Sequence, residues 1–381
     1  MYKKKILFIS NHASFFYSHR YNLFKESLER GYKFKLIFGN AASSKMEKFA
    51  IKKFDKEKID YIKLNYSHNK FNLIFDILAM FQILKIVREF KPNIIHSASP
   101  KANFISSILA LFAKFDKLIL SISGLGYLFT RSSKRYLINI KKLIFCFIIR
   151  LSIKNQRKNV IVQNKDDYKI IKKEFKLSKK EVVLIEGGSG VNLNKYNNLK
   201  NNNNNKTVLM IARIVANKGV NEFLNSARIL KKNYPDWKFL IVGGLDYKSP
   251  DSININYLNE LRKKNIISIH DYKSNVLKFY ENAEIFCLPS YREGMPKTVL
   301  EASSCGLPVV TTDAIGCRDS IINNFSGLLC KPYDHIDLAN KIEILIKDKK
   351  LRKKLGKNGK IYAKSNFAIN KVTNKIFNLY K

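Results

Sequence analysis

The chain has 381 residues and a formal charge of +40, from 70 Lys and Arg against 30 Asp and Glu, with 46% hydrophobic residues. That length and apolar content suit two domains with real cores. The charge alone suggests nucleic acid or an anionic membrane, but the chain has no aromatic-basic stacking motif or nucleic-acid module.

In chain order, Met1 to Ser10 has too short an apolar run for a signal peptide and reads as a first strand, Ile6 to Ser10. The loop Asn11 to Arg20 follows, then a helix with Leu23, Phe24 and Leu28 that ends at Gly31. Strand-like runs recur at 34–38, 61–64, 94–96, 118–121, 160–163 and 182–185, separated by helical patterns such as Leu73–Val87. Short apolar strands alternating with helices argue for a parallel sheet covered on both faces.

The rhythm breaks at Gly187-Gly-Ser-Gly190 and the polar stretch Asn197–Asn205. It restarts with runs at 208–212, 239–243, 266–269, 285–288, 309–311 and 327–329. Two such series joined by a polar, glycine-bearing link read as two Rossmann-like domains, with the cleft between them as the default binding site.

The joint abundance of Lys, Asn and Ile also fits a coding bias, although a chain this basic is drawn to acidic head groups. Arg131 to Lys158 sets Leu137, Ile140, Leu143, Ile144, Phe147, Ile148 and Leu151 among many cations. It reads either as a core helix with a cationic outer face or as a helix resting in a lipid interface. No run approaches the roughly 18 apolar residues of a membrane span. The five cysteines (146, 287, 305, 317, 330) show no metal-ligand spacing and read as small buried residues in a reduced compartment.

The most informative stretch is Tyr291 to Thr311. The apolar strand Ile285–Leu288 ends at Pro289-Ser290. Gly294 and Pro296 punctuate a loop, and Pro296 stands where a helix can begin. Glu293 then faces the helix start, and Glu301 lies about a turn and a half inside. Helix-start N–H groups favour an anion, and Gly294 lets a ligand approach the backbone. A phosphate flanked by two hydroxyl-binding carboxylates describes a nucleotide sugar. Arg213 and Lys218, after the Val208–Ala212 strand, can clamp a diphosphate.

Arg292-Glu-Gly-Met-Pro-Lys-x-x-x-Glu301-Ala-x-x-Cys-Gly-x-Pro-Val-Val-x-Thr-Asp313 resembles the E-x7-E signature of the retaining glycosyltransferases of family 4. Arg213 and Lys218 match that family's R-x4-K element. The resemblance implies a GT-B architecture: an α/β fold of two Rossmann-like domains with parallel sheets facing across a cleft. Residues 1–190 would bind acceptor, 191–360 nucleotide sugar, and 361–381 would form a helix returning to the first domain. It further implies that Glu293 binds donor-sugar hydroxyls and Glu301 ribose hydroxyls. Arg213, Lys218 and the backbone near Gly294, Met295 and Pro296 would stabilise the departing diphosphate, and Lys297 and Thr298 would also bind the donor. No metal or other cofactor is expected. His270 to Val276 corresponds to the family's base-holding region, and Gly188-Ser-Gly190-Val-Asn192 to its G-x-G-V-D element, with Asn192 replacing Asp.

Phe16-Tyr-Ser-His19-Arg20, Gly124-Leu-Gly126-Tyr and His96-Ser-Ala-Ser-Pro100-Lys101 resemble elements of the subset acting on undecaprenyl-diphosphate-linked sugars. They imply acceptor-side roles for His19, Arg20, Gly124, Gly126 and Lys101. The second histidine of the H-x-H pattern is Ala98 here, so His96 either takes over its catalytic role or is a structural strand-end residue. His12 reads more as structural than substrate-touching. Leu209 to Phe223 and Val242-Gly-Gly-x-Asp246 look like transferases adding N-acetylgalactosamine to such lipids.

The expected function is thus retaining transfer of a hexosyl or N-acetylhexosaminyl group from a UDP-sugar to a lipid-linked saccharide. The protein would be cytoplasmic and peripheral on the inner face of the plasma membrane, with no nucleic-acid partner. The rival readings are a GT-B UDP-sugar epimerase, a non-catalytic basic binding protein, and an idle partner of another transferase.

Overall fold

A computed structural model describes residues 4–41, 44–67, 73–125, 143–144, 146–152, 158–196, 205–246, 249, 251–271, 273 and 275–381. The chain divides into two compact units, Met1–Ile185 with Thr373–Lys381, and Glu186–Val372. The first division therefore falls five residues before Gly190. The Gly187–Gly190 turn packs inside the second unit, where Val191 N–H donates to the Phe367 carbonyl at 2.8 Å.

The first unit is built on a seven-stranded sheet in the order β3-β2-β1-β4-β5-β6-β7. Its strands are β1 Lys5–Ser10, β2 Lys33–Asn40, β3 Tyr61–Ser67, β4 Ile94–Ala98, β5 Lys117–Ile122, β6 Lys158–Val162 and β7 Val182–Leu184. Every pairing is parallel, so the strands are apolar on both faces. One face, with Leu7, Ile9, Leu118 and Leu120, is covered by the helices Leu73–Phe90, Pro100–Phe112, residues 146–152 and Lys165–Glu174. The other is aromatic. Phe8 meets Phe16 of the Ala13–His19 helix at 5.2 Å between ring centres, and Phe34 meets Phe24 of the Tyr21–Glu29 helix at 5.1 Å.

The second unit has a six-stranded parallel sheet, β10-β9-β8-β11-β12-β13. The strands are β8 Thr207–Ile211, β9 Lys238–Val242, β10 Ser268–His270, β11 Ile285–Leu288, β12 Val309–Thr312 and β13 Gly327–Cys330. The strand expected at 266–269 begins later. Ile266 N–H is used to close the preceding Ile255–Lys263 helix, donating to the Leu261 carbonyl at 3.0 Å. Helix starts carry their own caps: the Asp334 carboxylate accepts from the N–H groups of Ile336 and Asp337, and Asp348 from that of Leu351. All five cysteines are buried thiols.

Candidate active site

In the second unit the strand order reverses between β8 and β11, the point where open α/β sheets leave a ligand crevice at the strands' carboxyl ends. The loops leaving these two strands are tied together. Tyr291 N–H donates to the Asn217 carbonyl at 3.1 Å. Gly219 permits this approach: its φ is +72°, and a Cβ there would lie 2.0 Å from the Pro289 carbonyl oxygen.

The approach brings Lys218 to Glu293, with Nζ 2.5 Å from Oε1 and side chains only 21% and 15% exposed. From the other side, Glu293 N–H donates to the Ile315 carbonyl at 3.0 Å. Arg213, two residues past β8, pairs with Asp246 at 3.1 Å and is largely exposed. Both cations thus rest on carboxylates that a diphosphate can replace.

Gly294 and Met295 lead into the helix Lys297–Ser304. Pro296 sits one position before its expected place in the first turn. Its extended ψ of 102° makes it the cap, and its carbonyl accepts from Val299 and Leu300 N–H at 3.0 and 3.3 Å.

Glu301 is buried, and its oxygens are already engaged. Tyr196 O–H donates to Oε1 at 2.8 Å and Tyr280 O–H to Oε2 at 2.9 Å, while Lys297 Nζ lies 3.7 Å from Oε1. Burial, then the Glu301 charge, pushes both phenols well above the usual tyrosine range, so they remain donors. The E-x7-E spacing gives no hint of either tyrosine. Each carboxylate oxygen has a second lone pair, so further hydroxyls can be accepted. Tyr280→Phe is expected to cost about 1–3 kcal/mol by removing a donor from a buried carboxylate. Urea melts check this, and an unchanged midpoint would mean the contact is dispensable.

The acceptor-side candidates lie in the first unit, where the order reverses between β1 and β4. Asn11 Oδ1 accepts from Ala102 N–H at 3.1 Å, joining the loop after β1 to the start of the Pro100–Phe112 helix after β4, and Ser99 holds a φ of +95° before that helix. Arg20 is buried, bonded to Ser123 Oγ at 3.3 Å and the His19 carbonyl at 3.1 Å, and burial pushes its pKa down to about 10. Lys101, also buried, pairs with Asp76 at 2.6 Å. Gly124 has a φ of +125°. His12 caps the Ala13–His19 helix by accepting from Phe15 N–H. Gly126 lies outside the described residues, as do Tyr272 and Ser274 and most of the Arg131–Lys158 stretch.

His96 requires a correction. It is fully buried, with Nδ1 2.6 Å from Tyr380 Oη and Nε2 2.7 Å from Ser121 Oγ. With both ring nitrogens engaged it holds the Ile369–Tyr380 helix to the first sheet, and the catalytic reading does not carry over. Burial, then the Arg20 charge, keeps its pKa well below the ordinary value. The unfolded chain therefore takes up a proton below about pH 6.5 that the fold refuses. Stability is whole above that pH and falls as pH drops, by up to about 1.4 kcal/mol per unit. Urea melts from pH 7 to 5 should show this slope in the native chain and lose it in His96→Gln; equal slopes would remove the assignment.

Residues 193–362 match the family model for glycosyl transferases group 1, and residues 5–164 the glycosyl transferase 4-like model. Over 310 residues the chain is 30% identical to the N,N'-diacetylbacillosaminyl-diphospho-undecaprenol alpha-1,3-N-acetylgalactosaminyltransferase of Campylobacter jejuni, covering 78% of this chain and 79% of that one. The chain belongs to the group 1 glycosyltransferases. This glycosyltransferase is also 25% identical over 322 residues to the UDP-Gal:alpha-D-GlcNAc-diphosphoundecaprenol alpha-1,3-galactosyltransferase of Escherichia coli, covering 81% and 80% of the two chains. Sucrose-phosphate synthase from Thermosynechococcus elongatus shares the GT-B fold, with a TM-score of 0.80 at 18% identity over 99% and 98% of the chains.

Proposed function

We propose that this glycosyltransferase moves a hexosyl or N-acetylhexosaminyl group, N-acetylgalactosamine first among them, from a UDP-sugar to a polyprenyl-diphosphate-linked saccharide, with retention at the anomeric carbon. The observation that carries the proposal is the Lys218–Glu293 pair at the sheet's switch point, beside a helix start. The names of the two bacterial relatives support the acceptor class and the sugar type.

On donor binding, Lys218 exchanges Glu293 for the diphosphate, and Arg213 exchanges Asp246 for it. Glu293, released from its ion pair, accepts hydroxyls of the donor sugar, while Glu301 accepts those of the ribose. The C1–O bond breaks with its electrons passing to UDP, whose charge meets two cations and the helix start. The acceptor hydroxyl attacks from the face the leaving group departs, and its proton leaves with the diphosphate. No protein nucleophile and no metal enter this scheme, so transfer should proceed in EDTA.

This work belongs at the cytoplasmic face of a plasma membrane, with peripheral contact to its anionic lipids. Among the described residues no helix is long and apolar enough to cross a membrane.

The test offers a panel of labelled UDP-sugars with synthetic polyprenyl-diphosphate saccharides, comparing the native chain with Glu293→Ala. Label in the lipid fraction from one donor, lost in the variant, supports the proposal. Interconversion of UDP-sugars without lipid labelling would replace it with epimerisation. Binding without either reaction would replace it with a non-catalytic role.

A further inference from the structure

Helices on a soluble α/β sheet normally turn an apolar stripe inward and a polar one outward. One side of the first unit departs from this. In the Leu73–Phe90 helix, Ala79, Ile83 and Val87 enter the core. The outward stripe begins Ile74, Ile77, Leu78 and Phe81, which are 70%, 40%, 53% and 66% exposed. It becomes polar only at Gln82, Lys85, Arg88 and Glu89.

The helical residues 143–144 and 146–152 repeat the pattern. Cys146 and Ile149 enter the same core, while Leu143 and Phe147, one turn apart, are 67% and 58% exposed. Both helices therefore cover the same face of the sheet. The ion pair of Asp76 with the buried Lys101 fixes the first turn of the Leu73–Phe90 helix to the Pro100–Phe112 helix, so the stripe is held in place.

The occupant follows from charge. The first unit holds more than half of the 70 Lys and Arg but fewer than half of the 30 Asp and Glu. Like charge opposes a second copy and favours an anionic surface.

We propose that these two helices are the surface by which the first unit lies on an anionic lipid bilayer. The apolar stripes enter the boundary between head groups and acyl chains, and the surrounding cations meet the lipid phosphates. This deepens the lipid-linked reading above and rests on it for biological sense, but it uses none of that site's residues.

Flotation with vesicles of phosphatidylcholine, alone or mixed with phosphatidylglycerol, tests the surface at physiological salt. The native chain is expected to float with the mixed vesicles only. Leu78→Ser/Phe81→Ser and Leu143→Ser/Phe147→Ser, all at exposed positions, should each weaken partition by about tenfold or more. Their thermal melts, and sugar transfer to a water-soluble short-chain acceptor, should stay as in the native chain. Flotation of both variants as well as the native chain would overturn the proposal. So would light scattering showing that the substitutions break a dimer while vesicle binding is untouched. Normal flotation of a native chain that transfers no sugar would support the surface and defeat the function instead.

Discussion

Replacing Lys218 by Met should lower kcat for sugar transfer by about 10²–10³-fold, the usual cost of removing one group aimed at transition-state charge. The ammonium lies 2.5 Å from Glu293 in a largely enclosed place, where charge is screened less than at an open surface. In the proposed reaction the departing diphosphate gains its negative charge beside it. Methionine keeps the length and apolar stem of the side chain while removing the charge. Glu293→Gln should also depress transfer, and the double variant should fall short of the product of the two single losses. The residues share one interaction, so their effects are not independent. Single-turnover kinetics at saturating donor would read this directly. A Lys218→Met rate within about threefold of native would show that the cation does not meet the leaving group.

Gly316→Ala is expected to be strongly damaging. Gly316 has a φ of +76°, and an added Cβ would lie 2.1 Å from the Glu293 carbonyl oxygen and 2.7 Å from that of Gly294. The left-handed backbone costs a non-glycine residue about 1–2 kcal/mol, and the overlap must also be relieved. The overlap falls on the Glu293 and Gly294 carbonyls, and Glu293 N–H is bonded to the Ile315 carbonyl next door, so relieving it is expected to shift Glu293. A displacement of about 1 Å at Glu293 is enough for a loss near 10²-fold in transfer.

Gly31→Ala supplies the control, since Gly31 has a φ of +80° with nothing within 4 Å of the added atom. Both variants should lose stability in urea melts, but Gly31→Ala should transfer sugar at nearly the native rate. Equal activity in the two variants would mean that Gly316 does not position Glu293.

The alternation of short apolar runs with helical stretches was readable because a doubly covered parallel strand is apolar on every residue. Strand edges were less so: β10 starts at Ser268 because Ile266 closes a helix turn, a use of its N–H that apolar character does not reveal. The carboxylates and cations of the second unit sit in one contiguous motif and one R-x4-K element, so the family resemblance brings them into view. Their holders come from elsewhere in the chain. Tyr196 and Tyr280 reach Glu301 from 105 and 21 residues away, and no periodicity links them. His96 was ambiguous for the same reason. Its partner Tyr380 stands 284 residues later, and only the fold shows that the ring has no nitrogen to spare.

That separation has a bearing on how the protein is made. The first sheet leaves the ribosome early, yet the hydrogen bond that closes His96 waits for Tyr380, 284 residues later. At about 5–20 residues per second, the interval is roughly 15–60 s. During that time the imidazole of His96 and the guanidinium of Arg20 lack the Tyr380 hydroxyl that faces them in the fold. The nascent first unit is therefore a half-finished object until Tyr380 is made and docks.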